Sequence, residues 1–248
     1  MARPRNIRGL RPPEQRMLLW IALILMVLVV GAFARTWFLR TSIGLGPLPV
    51  FIHIHASVML GWVITLVLQT ALVVRGRLQW HRWLGWAGVL LAAGVIAMGT
   101  IATWRAASRE VTADTPDAWS QVLVLALELT QMALFAGLIS AAIAFRNRPG
   151  WHSRLMLMAT MAMVANPIVR ILSALDVQHV NVLTLGLLAA LLITIIVIDG
   201  VRRHRLHPVL VWGGCIVLGC LIIALHIGAK PWWQAAASRW VRSVPAGS

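Results

Sequence analysis

The chain reads as an all-α integral membrane protein, a bundle of seven transmembrane helices. Three observations predict this class. Of its 248 residues, 60% are hydrophobic and 12% charged, against about 45–50% and about 25% in a soluble domain. The apolar residues gather into runs close to the ~20 residues that a helix needs to cross a bilayer. Arginine concentrates in the short turns between those runs, where it sets topology.

The runs place spans at 17–37, 50–74, 81–104, 119–145, 152–175, 180–199 and 207–228. The first, from Met17, is too long for a signal-peptide core and lacks an A-x-A-like cleavage site, so it reads as a retained span. Three segments follow: a basic N-terminal stretch at 1–16, the seven-helix domain at 17–229 and an interfacial tail at 230–248. The second span opens on Phe51-Ile-His53-Ile-His55 and closes in the turn Arg75-Gly-Arg77-Leu-Gln-Trp80-His81. That Arg-x-Arg-x-x-Trp-His pattern returns at Arg146-Asn-Arg148-Pro-Gly-Trp151-His152. Spans two-three and four-five are therefore same-orientation hairpins, as in a parallel repeat; convergence of short basic turns on Arg and Trp is the alternative. The third span (Gly85, Gly88, Gly94, Gly99) and the seventh (Gly213, Gly214, Gly219) are rich in the small residues that let helices approach closely, which places both inside the bundle. The thirteen Trp, with no Tyr, sit mostly near span ends as an interfacial belt. Cys215 and Cys220 lie five residues apart within the last span, on different helix faces, and read as packing residues.

Of the 22 basic residues all but Lys230 are arginine, and the net charge is +15. Clustered in short turns, this charge points to anionic lipid rather than nucleic acid. Fourteen basic residues fall on one side of the spans and seven on the other, so the N-terminus is read as cytoplasmic and the C-terminus as periplasmic. Arg75, Arg77, His81, Arg82, Arg146, Arg148, His152 and Arg154 are the lipid-binding candidates, because neutral histidine and arginine beside free helix N–H groups suit a phosphate.

Ionisable residues within a membrane carry the functional suspicion. Glu128 in the fourth span and Asn166 in the fifth fall at one depth, and Arg170 lies about one turn nearer the surface, which makes a Glu128–Arg170 pair geometrically reasonable. His55 and His226 occur near the same surface on different helices. Axial haem ligation by these two, with Arg170 at a propionate, is one expectation; a transition metal on His53, His55 and His179 is another. The cofactor candidates are thus His55, His226, Glu128, Arg170 and Asn166, with b-type haem or a transition metal as the group held. Retinal is excluded, because the only lysine lies beyond the last span. The sequence contains no Walker loop, Cys-x-x-Cys or H-E-x-x-H motif.

At His55-Ala…Gln69…His81-Arg82-x-Leu84-Gly85-Trp86, then His152-x-Arg154-Leu155-Met156-Leu157-x-Ala159-Thr160 and Arg170, the chain resembles a widespread family of uncharacterised polytopic bacterial inner-membrane proteins. The likeness covers about residues 50 to 230 and implies that location and a helical bundle, but no activity. His53 falls outside its pattern. The His-Arg-x-Leu-Gly element also resembles small membrane proteins linked to haem–copper oxidase assembly. Two functions are therefore expected: a cofactor-binding protein tied to redox chemistry or respiratory-complex assembly, or a non-catalytic subunit that stabilises a larger membrane complex. A transporter ranks behind both, since the inner half of the fourth span offers only Gln131 and Ser140. Reporter fusions after Arg77, Arg148 and Arg205 should all give cytoplasmic signals; a periplasmic signal at any of the three refutes the topology.

Overall fold

The computed structural model describes residues 11–113 and 118–243. Pro12 and Pro13, preset in φ and lacking N–H donors that a first turn cannot use, open α1 (Pro12–Phe33). It ends in a π-helical turn at Ala34–Phe38, where the Leu39 N–H donates to the Ala34 carbonyl. Then follow α2 (Val50–Val74), α3 (Leu78–Ala113), α4 (Ala118–Ala144), α5 (Pro149–Met161), α6 (Ala165–Ala174), α7 (Val180–Arg203), α8 (Pro208–Gly228) and α9 (Pro231–Ser243). Seven stretches are long and apolar enough to cross a membrane, with α5 and α6 sharing one of them. Large apolar side chains face outward along most helices, Leu90 at 77% exposure and Val27 at 71% among them. A surface of that kind is stable only against lipid.

The span formed by α5 and α6 is the hub. In its apolar window 67% of residues are buried, against 17–39% elsewhere, and it packs on α1, α4, α7 and α8. Met158, Met161 and Ala162 fill one core with Leu188, Leu192, Leu210 and Leu221; Ala159 joins a second, around Trp62, Val95 and Phe135. Glycine permits two of the close approaches. A Cβ on Gly88 would sit 3.6 Å from Thr65 of α2, and one on Gly213 would lie 2.9 Å from Cγ of Met158.

The structure departs from the sequence reading in four places. The fifth span is not continuous. Residues 162–164 tighten into i→i−3 turns, Met163 N–H to the Thr160 carbonyl and Val164 N–H to Met161. Pro167 is the cause, because it has no N–H for the Met163 carbonyl and its ring would clash there. The third helix runs past the apolar limit at Trp104 to Ala113, since Ala107 and Val111 are covered by Ala237 and Val241 of α9. The tail helix α9 is accordingly packed on α3 and α4, with the Trp233 indole donating to the Val122 carbonyl at 3.1 Å. Residues 12–16, expected in the basic N-terminal stretch, belong to α1 and bury Glu14 at 5% exposure. Arg3, Arg5, Arg8, Asp114, Asp117 and the side chain of Trp119 lie outside the described residues.

Candidate functional site

The interruption between α5 and α6 sets up the first polar site. Asn166 lies in the first turn of α6 and faces α4. Its Nδ2 donates to Glu128 Oε2 at 3.1 Å, and its Oδ1 accepts from Gln131 Nε2 at 3.3 Å. One amide thus joins two α4 side chains across the helix interface. Gln131 is 2% exposed and its Oε1 is buried without a partner. Arg170 lies one turn further along α6, yet it forms no direct ion pair with Glu128, unlike the ion pairs that gather on Glu14 and Arg154. Its guanidinium instead covers the Phe33 ring at 4.6 Å, while its charge acts through space on both Glu128 and His55. The Glu128–Arg170 contact drawn from helix depth is therefore replaced by a Glu128–Asn166–Gln131 relay.

His55, on α2, feels the Arg170 charge through space. Its Nδ1 lies 3.3 Å from the Met98 carbonyl of α3. A carbonyl only accepts, so this nitrogen carries the proton and Nε2 keeps its lone pair. Its partners in the sequence-based sets are elsewhere. His226 is exposed on α8, which packs on α4, α5, α7 and α9, whereas α2 packs on α1 and α3; bis-histidine ligation by His55 and His226 has no shared interface to occupy. His53 Nδ1 accepts from the Trp37 indole at 3.1 Å. His179 caps α7 in a left-handed conformation, φ 56°. Among the described residues no three His, Cys, Asp or Glu side chains converge on a metal position, so the His53–His55–His179 set does not assemble.

At the opposite, basic end Arg75, Arg77, Arg82, Arg146 and Arg148 are exposed, with Arg148 over the Phe145 ring at 5.5 Å. Arg154 is not among them. It is 0% exposed, and its fork grips Asp199 of α7 through Nε (3.2 Å) and Nη2. Its Nη2 is also 3.5 Å from Glu14 of α1, and Nη1 donates to the Gly150 carbonyl at 3.1 Å. Glu14 further accepts from Arg203 (3.3 Å) and Arg11 (3.1 Å). Arg154 is therefore a buried clamp between α1, α5 and α7 rather than a lipid ligand. Sequence reasoning missed both carboxylates. Asp199 fell at a span boundary and Glu14 within a basic segment, although an acid inside an apolar stretch is itself the signal.

His207 seals this cluster. It caps α8 by accepting the Val209 N–H at 3.3 Å and packs against Trp151. Burial, then the charges of Arg154 and Arg203, push its pKa from 6.5 down to about 4, against the opposing pull of Asp199. Comparison with protein-family profiles, curated proteins and solved structures gives no match.

Two outcomes follow. Arg154→Gln or Asp199→Asn strands a buried charge and should cost about 3–5 kcal/mol each; the double variant Arg154→Met/Asp199→Leu should lose less than the sum in a detergent melt. Strict additivity would show that the two do not act as a pair. Between pH 6.5 and about 4 the unfolded chain takes up a proton at residue 207 that the folded chain refuses. The stability tied to His207 is therefore complete above that window and falls as pH drops through it. His207→Asn keeps a capping side chain and should flatten the acid limb of the melting temperature against pH; an unchanged limb refutes the assignment.

Proposed function

We propose that this integral membrane protein holds a metal or haem group at the site around His55 and serves redox chemistry or cofactor insertion in a respiratory-type complex. The observation that carries the reading is the His55 imidazole. Its Nδ1–H is pinned by the Met98 carbonyl, the outer support that metal-ligating histidines use to fix their tautomer. Arg170, whose charge acts on both His55 and Glu128, suits an anionic group such as a propionate. These residues would suit a group held through one protein imidazole, His55. When bound, such a group would supply electron transfer or ligand exchange; the chain's own part is to orient the ring and balance charge in a dry medium.

The second reading is a non-catalytic subunit that stabilises a larger membrane complex and binds anionic lipid. The five exposed arginines of the basic end favour it, each worth about 1 kcal/mol near an anionic surface. In both readings the basic end is placed in the cytoplasm of a bacterial inner membrane, with the N-terminus inside and the C-terminus in the periplasm. The absorption spectrum and metal content of the purified protein decide between them. The first reading expects a Soret band or bound metal, lost in His55→Ala and kept in His226→Ala. A preparation without a signal that depends on His55 overturns it in favour of the accessory subunit.

A further inference from the structure

The two copies of the Arg-x-Arg-x-x-Trp-His pattern meet in space. His81 lies in the first turn of α3 and His152 in the first turn of α5, and their ring centroids are 6.3 Å apart with the planes at 89°. Each ring has one nitrogen committed to a carbonyl. His152 Nδ1 lies 2.8 Å from the Ala142 carbonyl, so its Nε2 keeps a lone pair. His81 donates to the main chain of Gln69, while its Nδ1 is buried with no partner. Gln69 adds a second buried orphan, since its Oε1 is also unpartnered. Its amide lies over the same turn of α3, for a Cβ on Gly85 would stand 3.7 Å from Gln69 Nε2.

The groups left over are all acceptors. A buried acceptor without a donor costs about 1–3 kcal/mol; two of them beside the His152 lone pair can be satisfied by a donor or a metal ion, but not by a phosphate, which brings only further acceptors. This argues against the lipid role first drawn for His81 and His152. The spacing fits a shared centre: at a metal–nitrogen distance of about 2.0–2.1 Å the ion lies roughly 3 Å from each ring centroid, so rings 6.3 Å apart can hold one ion between them. Imidazole suits zinc, copper and iron.

We propose that His81 and His152, with Gln69 beside them, form a transition-metal site at the basic end of the bundle, in which two imidazoles ligate one centre. That centre is a free ion or the iron of a haem. The site is separate from the one around His55 and stands whether or not that one binds anything.

The test uses the full chain in detergent, titrated separately with Co2+ and with haemin. In the His55→Ala background, which removes the outer site, the protein is expected to bind one equivalent of one of them, with the d–d band or the Soret shift of nitrogen ligation. His81→Ala and His152→Ala should each weaken that binding at least tenfold, and the double variant should abolish it. Gln69→Ala should weaken Co2+ but not haemin, which separates the two sources. His179→Ala serves as the control, and with His55 already replaced, failure of the outer site is read independently. If an alanine variant does not show a wild-type melt, His81→Gln and His152→Gln replace it, and the band of the His55→Ala protein itself reports imidazole ligation. A His55→Ala protein that binds neither probe, or a folded double variant in that background that binds equally well, overturns the proposal.

Discussion

A guanidinium with no exposure to solvent is the constraint from which the basic half of the bundle follows. Arg154 cannot be deprotonated and cannot reach water, so its charge must be met inside the protein. Asp199 meets it with a two-point grip, and Glu14 adds a second carboxylate that is itself shared with Arg203 and Arg11. These residues come from α1, α5 and α7, far apart in the chain. No two of those helices can slide or rotate without uncovering a charge in a medium of low dielectric, where an unpaired ion is far costlier than at a surface. The apolar core offers less orientation, because a leucine is equally content against another helix or against lipid. The charges therefore fix the arrangement that the apolar contacts then fill.

The same span carries the other polar site, and the interruption between α5 and α6 is what separates them. Pro167 ends the regular ladder in mid-membrane and starts α6 afresh, bringing Asn166 against α4. Below the interruption the Thr160 hydroxyl accepts from the Trp62 indole at 3.2 Å, so polar contacts recur along the most enclosed span of the bundle. Each is satisfied by a neighbour from another helix. Irregular backbone at this depth survives only where protein covers it, and α5 and α6 are the helices most covered by their neighbours.

The two histidine clusters differ in what surrounds them. His207 sits beside two arginines and is held neutral, a cap and a plug for the ionic cluster. His81 keeps a buried Nδ1 that meets no donor, and His152 keeps a lone pair on Nε2. Identical side chains at the ends of similar turns thus differ in what is left over: the His207 Nδ1 is spent on a cap, whereas His81 and His152 each keep a nitrogen free.

The sequence by itself determined the class, the seven spans and the location of the basic turns. Those rest on local quantities, apolar run length and charge, which act through the bilayer and need no partner. It also singled out Glu128, Asn166, Arg170, His55, His81 and His152, because an ionisable or hydrogen-bonding group in an apolar run stands out wherever the chain folds. Tertiary structure alone decided who meets whom. Helix depth suggested a Glu128–Arg170 pair, but depth gives no rotation about the helix axis, and Asn166 occupies the place beside the carboxylate. Arg154 looked like one more turn arginine, since nothing local shows that Asp199 and Glu14, 45 and 140 residues away in the chain, close over it. Interhelical pairing in a membrane depends on rotation and tilt, which polar contacts between distant segments set and a hydropathy pattern does not encode.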